Sequence, residues 1–367
     1  MRLTGSLVAR SPLSPLSAHR DRRHPASPEF PACELLITAL PIHHMGSFPA
    51  SLSLAPRPVA LTSHVMKTME RLLLQHLRPQ THHALDPLQF AYREKTGVED
   101  AIIFLLHRSL SHLDRGSGAV RITFLDFSSA FNTIQPLLLR DKLTEMGVGS
   151  HLVAWITDYL TGRPQYVRLG DCRSDTVASS TGAPQGTVLS PVLFTLYTSD
   201  FQYKSEFCHV QKFADDTAIV GCIRSGQEDE YRELIKDFVT WCDSNHLLLN
   251  TTKTKEMVVD FRRPRPHPEP VIIKGDCVEV VHTYKYLGVQ LDDKLDWTAN
   301  TDALCRKGQS RLYFLRRLAS FNICKKLLQI FYQSVVSERP PVRSSVLGAA
   351  SRRRTQHAPG QTEEQLQ

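Results

Sequence analysis

Three aspartates in strand-like surroundings are the residues of this chain best suited to chemistry. Asp126 ends an alternating apolar run over residues 120–124, and Asp215 and Asp216 lie between two further apolar runs. A glycine-rich turn, residues 182–186 (GAPQG), separates them along the chain. Mg²⁺ prefers carboxylate oxygens, and nucleotidyl transfer uses two such ions about 3.5–4 Å apart. Carboxylates at strand ends, together with a glycine-rich loop, therefore indicate a two-metal nucleotidyl transferase.

A plainer interpretation of the aspartate pair is open as well. Aspartate favours turns, so Asp215 and Asp216 could form an ordinary hairpin turn with no role in catalysis. The presence of Asp126 and of the glycine-rich loop favours the catalytic interpretation. Because Asp126 lies far from the pair along the chain, only the fold can bring the three side chains together.

Five segments resemble motifs A to E of reverse transcriptases, in a wording typical of LINE-type (non-LTR) retrotransposons. In chain order they are residues 125–131 (LDFSSAF), 182–191 (GAPQGTVLSP), 213–216 (FADD), 249–254 (LNTTKT) and 284–288 (YKYLG). The resemblance implies an α/β (α+β) right-hand polymerase fold with palm, fingers and a partial thumb.

The same resemblance divides the chain into four segments. Residues 57–297 would form the fingers and palm, and residues 298–336 a partial, basic thumb. Residues 1–56 are expected to be disordered or unrelated to the family, and residues 337–367 to be a disordered tail. Both flanks of the polymerase region are therefore expected to be truncated.

The family roles of the catalytic residues carry over to named positions. Asp126, Asp215 and Asp216 would bind two Mg²⁺ ions, with Mn²⁺ as an alternative, and the first two would hold both ions. Lys253 would help pyrophosphate to leave, by its charge or as a general acid. Lys255 competes for that role, and Lys253 could equally be a solvated surface lysine.

The resemblance also places five residues around the incoming nucleotide. These are Arg57, Phe127, Phe131, Gln185 and Gly186. The planar guanidinium of Arg57 suits phosphate oxygens, and Gly186 lets the backbone approach a ligand closely. Phe131 would act as a steric gate against a ribose 2′-hydroxyl, or would simply pack in the core. Residues 88–93 (LQFAYR) resemble another fingers segment without a defined role.

Positive charge is concentrated after motif E. The net charge is +7, and residues 298–336 contain seven basic residues and one acidic residue. A basic helix there would bind the phosphates of a template–primer duplex without sequence preference. The nucleic-acid-binding residues would be Arg306, Lys307, Arg311, Arg316 and Arg317. Tyr313, Phe314, Leu315 and Leu318 would form its packing face. A solvated amphipathic helix is the alternative.

Apolar periodicity and turn residues predict most of the elements. Helices are predicted over residues 64–77, 98–113, 151–160 and 231–242. A further helix should start with Ser190 as N-cap and Pro191 at its first position. Strands are predicted over residues 257–261, in a pair at 165–169 and 176–177, and in a hairpin of 271–273 with 278–280.

Composition sets the remaining limits. Hydrophobic residues make up 41% and charged residues 22% of the chain, as in soluble globular proteins, and no apolar run suits a membrane span. The eight cysteines contain no C-x-x-C pair, which argues against zinc and indicates reduced, buried thiols of an intracellular protein. Neither nucleus nor cytoplasm is favoured, and the oligomeric state is not indicated.

The function predicted from these features is RNA-directed DNA synthesis, with an RNA template, a DNA primer and dNTPs as partners. The alternative is a catalytically inactive, retrotransposon-derived RNA-binding protein. An RNA-dependent RNA polymerase is disfavoured, because the bulky Phe131 would exclude a ribose 2′-hydroxyl.

Overall fold

The computed structural model describes residues 35–38 and 59–337, apart from residues 117, 170–171, 225–226 and 263–268. Arg57, predicted to contact a triphosphate, lies outside the described residues. The disorder predicted for the two terminal segments also falls almost entirely outside them.

Eight α-helices lie in the part of the chain that the structure describes. They are His64–Thr81 (α1), Val98–Leu113 (α2), Pro136–Glu145 (α3), Ser150–Leu160 (α4), Ser190–Tyr197 (α5), Asp229–Ser244 (α6), Thr298–Ala319 (α7) and Lys325–Phe331 (α8). Helix α2 has the predicted bounds, and α6 buries the five residues that its periodicity selects. Within the described ranges, no helix combines the length and apolar character that crossing a bilayer requires.

The strands form two larger sheets and two small hairpins. They are Leu35–Thr38 (β1), Ala60–Leu61 (β2), Gly118–Leu125 (β3), Arg163–Leu169 (β4), Cys172–Arg173 (β5), Val177–Ser179 (β6), Cys208–Phe213 (β7), Asp216–Arg224 (β8), Lys255–Val259 (β9), Ile272–Ile273 (β10), Asp276–Cys277 (β11), Glu279–Val280 (β12), Thr283–Tyr286 (β13) and Val289–Asp292 (β14). One sheet has the order β12-β9-β3-β8-β7 and is called the central sheet below. The other contains β1, β2, β4, β5 and β6.

Strand β3 is the middle of the central sheet, and all eight of its residues are buried. It pairs antiparallel with β8 on one side and with β9 on the other. The apolar alternation predicts one buried face, whereas polar residues of β3 are buried as well. The reason is that side chains from other elements cover both faces of the sheet.

One face of the central sheet is apolar at its centre, where β3 and β8 meet. Val120, Ile122 and Phe124 pack in one cluster with residues of α2 and of the β13–β14 hairpin. The ring of Phe124 stacks on Tyr284 with a centroid separation of 4.0 Å. This packing holds the hairpin, which contains the motif E segment, against the sheet.

The opposite face buries a charge. Arg121 donates from Nε to Glu256 Oε1 at 2.8 Å, and the Tyr231 hydroxyl of α6 donates to the same oxygen at 2.9 Å. Arg121 is 1% exposed and Glu256 0%. A buried ion pair is tolerated when further hydrogen bonds satisfy both partners, and the Glu228 carboxylate and the Glu269 carbonyl complete the set around Arg121.

The second sheet includes a strand where none was predicted. Residues 35–38 form β1, which pairs in parallel with β4 and antiparallel with β2. The sequence LLIT is rich in residues that favour strands, which accounts for β1. The predicted pairing of 165–169 with 176–177 is confirmed, with Gln165 opposite Val177.

Several predicted element boundaries were displaced. Helix α1 continues to Thr81, four residues beyond its predicted end, and α4 begins one residue early, at Ser150. Helix α5 has Leu189 as N-cap, so Ser190 and Pro191 occupy its first two positions instead. The predicted strand 257–261 is β9, which begins two residues earlier, at Lys255, and ends at Val259. The hairpin after it pairs β10 with β11, because β12 joins β9 in the central sheet.

Two burial predictions were wrong. Tyr313 and Phe314, predicted to pack α7, are 61% and 56% exposed. Cys277, Cys305 and Cys324 are also exposed, because they lie on a short hairpin, on α7 and directly before α8, all of which have little packing. The three remaining described free cysteines, Cys208, Cys222 and Cys242, are buried as predicted.

Candidate active site

Asp126 is the first residue after β3, and the central sheet fixes its position. The β3–β8 register ends with Leu125 opposite Thr217, so its continuation places Asp126 opposite Asp216. The Asp126 carbonyl accepts from the Asn250 amide at 2.8 Å. The carboxylate oxygen Oδ2 is buried and accepts no hydrogen bond from any described residue. A buried oxygen that accepts no hydrogen bond is suited to a cation.

Asp215 and Asp216 lie at a tight turn between β7 and β8. Phe213 pairs with Asp216, so Ala214 and Asp215 alone make the turn. Ala214 has a φ of +57°, where an L-residue is disfavoured by roughly 1–2 kcal/mol and glycine normally stands. Backbone strain of this sort concentrates at functional sites. The pair is thus a hairpin turn and a carboxylate site at once.

Electrostatics indicates that the three carboxylates share one neighbourhood. Partial burial, then the charges of Asp215 and Asp126, raise the pKa of Asp216 to about 6. Burial also raises the pKa of Tyr284, and the charges of Asp216 and Asp126 add to that increase. The fold therefore brings together side chains that lie far apart in sequence.

The structure separates the two lysine candidates. Lys253 Nζ lies 3.7 Å from Asp126 Oδ2. Lys255 Nζ donates instead to Glu279 Oε2 and to the Thr252 carbonyl, both at 2.7 Å. Of these two lysines, Lys253 is therefore the one beside the carboxylates.

The glycine-rich loop lies against the segment that follows Asp126. Gly182 and Gly186 have φ values of +70° and +93°, which favour glycine. A Cβ atom on Gly182 would lie 2.7 Å from the Asn132 Cα. The Gln185 side chain donates from Nε2 to Asn132 Oδ1 at 3.4 Å, and its carbonyl accepts from the Ala60 amide at 2.7 Å. The loop thus sits between Asn132 and the short β2 strand.

The two phenylalanines predicted to line the nucleotide site both contact the core. The Phe131 ring centroid lies 5.2 Å from that of Phe194, and its carbonyl accepts from the Ala183 amide at 2.7 Å. The Phe127 ring lies 6.4 Å from Phe238 of α6. The Phe127 side chain is partly buried against the same core cluster as Phe238, and its place at the nucleotide site stays a prediction.

Two residues that hold the motif B segment, residues 182–191, at its two ends were missed by the sequence interpretation. Glu70 is fully buried on α1, and its Oε2 accepts from the amides of Val188 and Leu189 at 2.6 and 3.2 Å. Arg163 donates to the carbonyls of Gly182 and Thr181, both at 2.8 Å. Glu70 follows Met66 by four residues on the buried helix face, and a carboxylate in that apolar stripe was the available signal.

A third missed residue contacts the aspartate turn directly. Gln89, in the segment between α1 and α2, is 2% exposed and forms two side-chain hydrogen bonds with the backbone of Ala214. Its signal was a polar side chain within the apolar stretch LQFA, because buried amides need partners.

The predicted cationic residues of α7 do not lie on one face. Arg306 and Arg317 are eleven residues apart and share a face, while Lys307 and Arg311, spaced i and i+4, share another. Arg316 lies on neither. Apart from the half-buried Arg311 they are exposed, so they present charge in several directions.

The carboxylate cluster fits a divalent cation by its chemistry. It offers hard oxygen donors, and one of them, Asp126 Oδ2, is buried without a hydrogen bond. Across the described ranges, no three His, Cys, Asp or Glu side chains form a ready-made metal cluster. Such an incomplete donor set suits Mg²⁺, which keeps several waters and shares its coordination with substrate phosphates.

Comparison with protein families assigns the fold. The family model for reverse transcriptase (RNA-dependent DNA polymerase) matches residues 53–291, well over half of the chain. The chain belongs to the reverse transcriptase family. The predicted resemblance and the predicted right-hand α/β fold class are thereby confirmed. Reverse transcriptases generally use divalent metal ions, in agreement with the carboxylate cluster. A second model, the N-terminal region of alkylated DNA repair protein alkB homolog 8, matches residues 297–337, which contain α7 and α8.

The similar curated reverse transcriptases come from mobile elements. The RNA-directed DNA polymerase from mobile element jockey of Drosophila funebris is 26% identical over 268 residues, covering 70% of this chain and 29% of the relative. The probable RNA-directed DNA polymerase from transposon BS of Drosophila melanogaster is 24% identical over 301 residues, covering 79% and 33%. This chain spans about a third or less of the relatives' length.

Solved structures of similar shape include telomerases. Apo telomerase from Candida tropicalis has a TM-score of 0.46 at 12% identity, covering 74% of this chain and 49% of that one. Telomerase from Candida albicans, in complex with a fragment of telomeric RNA, has a TM-score of 0.43 at 12% identity, covering 75% and 48%.

Proposed function

We propose that this chain is an RNA-directed DNA polymerase of a LINE-type (non-LTR) retrotransposon. The 3′-hydroxyl oxygen of a DNA primer attacks the α-phosphorus of a dNTP. The bond to the β-phosphate oxygen then breaks, pyrophosphate leaves, and the hydroxyl proton passes to solvent. One observation carries the proposal, the convergence of Asp126, Asp215 and Asp216 at one end of the central sheet.

The metal assignment belongs to this proposal. Asp126 and Asp215 would hold two Mg²⁺ ions, for which Mn²⁺ is an alternative, and Asp216 would be less central. Such ions stabilise both the attacking and the leaving oxygen. The contribution of the protein is rigidity, because strand ends and a strained turn hold the carboxylates in place.

The surrounding residues would select and orient the nucleotide. Lys253, beside Asp126, would supply positive charge or a proton to the departing pyrophosphate. Gln185 and Gly186 would line the nucleotide pocket, where the loop backbone can approach the ligand. Phe131 would exclude a ribose 2′-hydroxyl, and Arg57 would contact the triphosphate.

The template and primer would be held by the outer segments. Residues 57–297 would serve as fingers and palm, and residues 298–336 as a thumb. The exposed cations of α7 support this role, because they can bind the phosphates of an RNA–DNA duplex irrespective of its sequence.

Primer extension on a primed homopolymeric RNA template, with Mg²⁺ and dNTPs, tests the proposal. We expect the wild-type chain to extend the primer and Asp215→Asn to lose roughly 10³-fold or more of the rate. Asp237→Asn, an exposed carboxylate on α6, is the matched control and should retain activity. Phe131→Ala should raise incorporation of NTPs relative to dNTPs.

Two outcomes would overturn the proposal. Wild-type rates from Asp215→Asn would show that the carboxylates are not catalytic. If a folded wild-type chain binds RNA in a salt-dependent manner but yields no product with Mg²⁺ or Mn²⁺, the chain is an inactive RNA-binding protein instead.

A further inference from the structure

The side chain of Gln89 binds both backbone groups of one residue in the aspartate turn. Its Nε2 donates to the Ala214 carbonyl at 3.2 Å, and its Oε1 accepts from the Ala214 amide at 2.9 Å. The same Oε1 also accepts from the Ala91 amide at 3.1 Å. The side-chain amide of Gln89 therefore takes the place of a neighbouring strand, because it binds both backbone groups of Ala214.

The backbone around Gln89 continues the edge of the central sheet. Gln89 and Lys212 form a parallel β-bridge. The Lys212 amide donates to the Leu88 carbonyl, and the Phe90 amide donates to the Lys212 carbonyl, both at 2.9 Å. The segment thus pairs with β7 through its backbone as far as Lys212. At Ala214 the hydrogen bonds come from the Gln89 side chain instead.

A buried ion pair anchors the same segment. Lys212 Nζ lies 2.8 Å from Asp86 Oδ2, and both side chains are 3% exposed. The Asp86 Oδ1 accepts from the Leu88 amide at 2.8 Å. Gln89 therefore projects from a fixed backbone, so that its amide meets Ala214 in a defined orientation.

Ala214 is the residue that needs holding. It has a positive φ that disfavours any side chain, and it directly precedes Asp215 and Asp216. Rotation of its backbone toward a relaxed conformation would redirect both carboxylates. Neither strand supplies a ladder partner for Ala214, because the β7–β8 pairing ends at Phe213 and Asp216.

We infer that Gln89 is a positioning residue, whose side-chain amide holds Ala214 in its left-handed conformation and thereby aims Asp215 and Asp216 at the site shared with Asp126. The effect of Gln89 on DNA synthesis rests on the proposed function, whereas the pair of hydrogen bonds that holds Ala214, called the Gln89 clamp below, is a property of the fold. The segment that resembles a fingers motif thus acts on the carboxylate turn.

A double-mutant cycle tests the inference with four proteins: wild type, Gln89→Met, Ala214→Gly and the double variant. Gln89→Met should lower kcat about 10–100-fold, as for loss of groups that orient metal ligands, with little change in KM for dNTP. Mn²⁺ affinity, measured by electron paramagnetic resonance on the protein without nucleic acid, should fall by a similar factor. Glycine at 214 removes the strain, so the double variant should recover much of both losses.

Gln211→Met is the matched control. Gln211 is also fully buried, on β7, but its amide donates to the Ala101 carbonyl of α2 at 2.7 Å. Gln211→Met should lower the urea midpoint, as Gln89→Met does. Any loss of Mn²⁺ affinity in Gln211→Met should not be recovered when Ala214→Gly is added. Gln89→Glu, which keeps the size and removes the donor to Ala214, replaces Gln89→Met if that variant does not fold.

The outcomes separate the Gln89 clamp from the proposed function. Unchanged kcat and Mn²⁺ affinity in the Gln89 variants, or no recovery in the double variant, would overturn the inference. If the wild type makes no product, the proposed function fails, and the Mn²⁺ and urea measurements still decide whether Gln89 positions the turn.

Discussion

The central sheet and the two C-terminal helices use their residues in opposite ways. Strand β3 buries all eight residues, whereas α7, with 22 residues, buries Asn300 alone. Helix α8 buries none, and Phe321 on the connection between the helices is 65% exposed. The central sheet is therefore packed on both faces by other elements, whereas most of the surface of α7 and α8 is exposed.

Arginine shows the same contrast. Arg121 in β3 is enclosed and paired with Glu256 at 2.8 Å, so its charge belongs to the interior. Arg316 and Arg317 on α7 are exposed, so their charge is available to a ligand. The comparison teaches that buried charge serves the fold here, while the exposed charge lies at the surface, accessible to a ligand.

The largest expected effect concerns the buried arginine. Arg121→Met leaves Glu256 buried without its cation, and we expect a loss of about 3–5 kcal/mol in the free energy of unfolding. Urea unfolding monitored by circular dichroism measures it. Arg316→Met, the same substitution on the exposed helix, should change stability by less than about 0.5 kcal/mol. Similar losses at both positions would erase the distinction between the two regions.

A smaller effect follows from His209, buried in β7. Neither ring nitrogen has a hydrogen-bond partner among the described residues. Burial, followed by the charges of Arg108 and Lys204, lowers the pKa of His209 to about 3. The unfolded chain binds the proton at about pH 6.5, so this contribution is complete above pH 6.5 and declines as the pH falls toward 3. The expected loss between pH 7.5 and pH 5 is about 2 kcal/mol.

The check is urea unfolding of wild type and His209→Leu at both pH values. Leucine does not titrate, so the variant should lose about 2 kcal/mol less than wild type over that interval. Equal pH dependence in the two proteins would show that His209 is not the group responsible. The two C-terminal helices, α7 and α8, bury no titratable side chain, so acid should destabilise the sheet before it affects them.

The smallest effect tests the helices directly. Replacing Arg306 and Arg317, which share a face of α7, with glutamine should weaken duplex binding. The slope of log K against log salt should fall by about 0.9 for each phosphate that the variant no longer neutralises. Fluorescence anisotropy with a labelled RNA–DNA duplex measures it, and Lys236→Gln on the exposed face of α6 is the control. An unchanged slope would identify α7 as a solvated amphipathic helix.

Local sequence signals predicted much of the fold. The apolar stripe of α6 and the bounds of α2 follow from periodicity, because each helix packs one face on the core. The three aspartates could be predicted as site residues from their chemistry and from their positions at the ends of predicted strands. Tyr313 and Phe314 show the limit of this logic, because an amphipathic pattern does not reveal whether a partner surface exists.

The interactions that shape the site were beyond such reasoning. Gln89 and Glu70 act through hydrogen bonds to backbone groups more than a hundred residues away. Neither hydrogen bond produces a periodic pattern in the sequence, because a single polar side chain is enough to form it. The strained Ala214 was equally hidden, because alanine is not a residue that signals a positive φ.

Two glycines also mark where hereditary damage to this chain would be decisive. A side chain at Gly182 would meet the Asn132 backbone at 2.7 Å, and one at Gly118 would meet the Ile223 carbonyl at 1.9 Å. Every missense mutation of a glycine codon adds a side chain, and backbone atoms cannot turn aside as a flexible side chain can. Missense mutations at these two codons are therefore expected to prevent the chain from folding, and this chain retains both glycines.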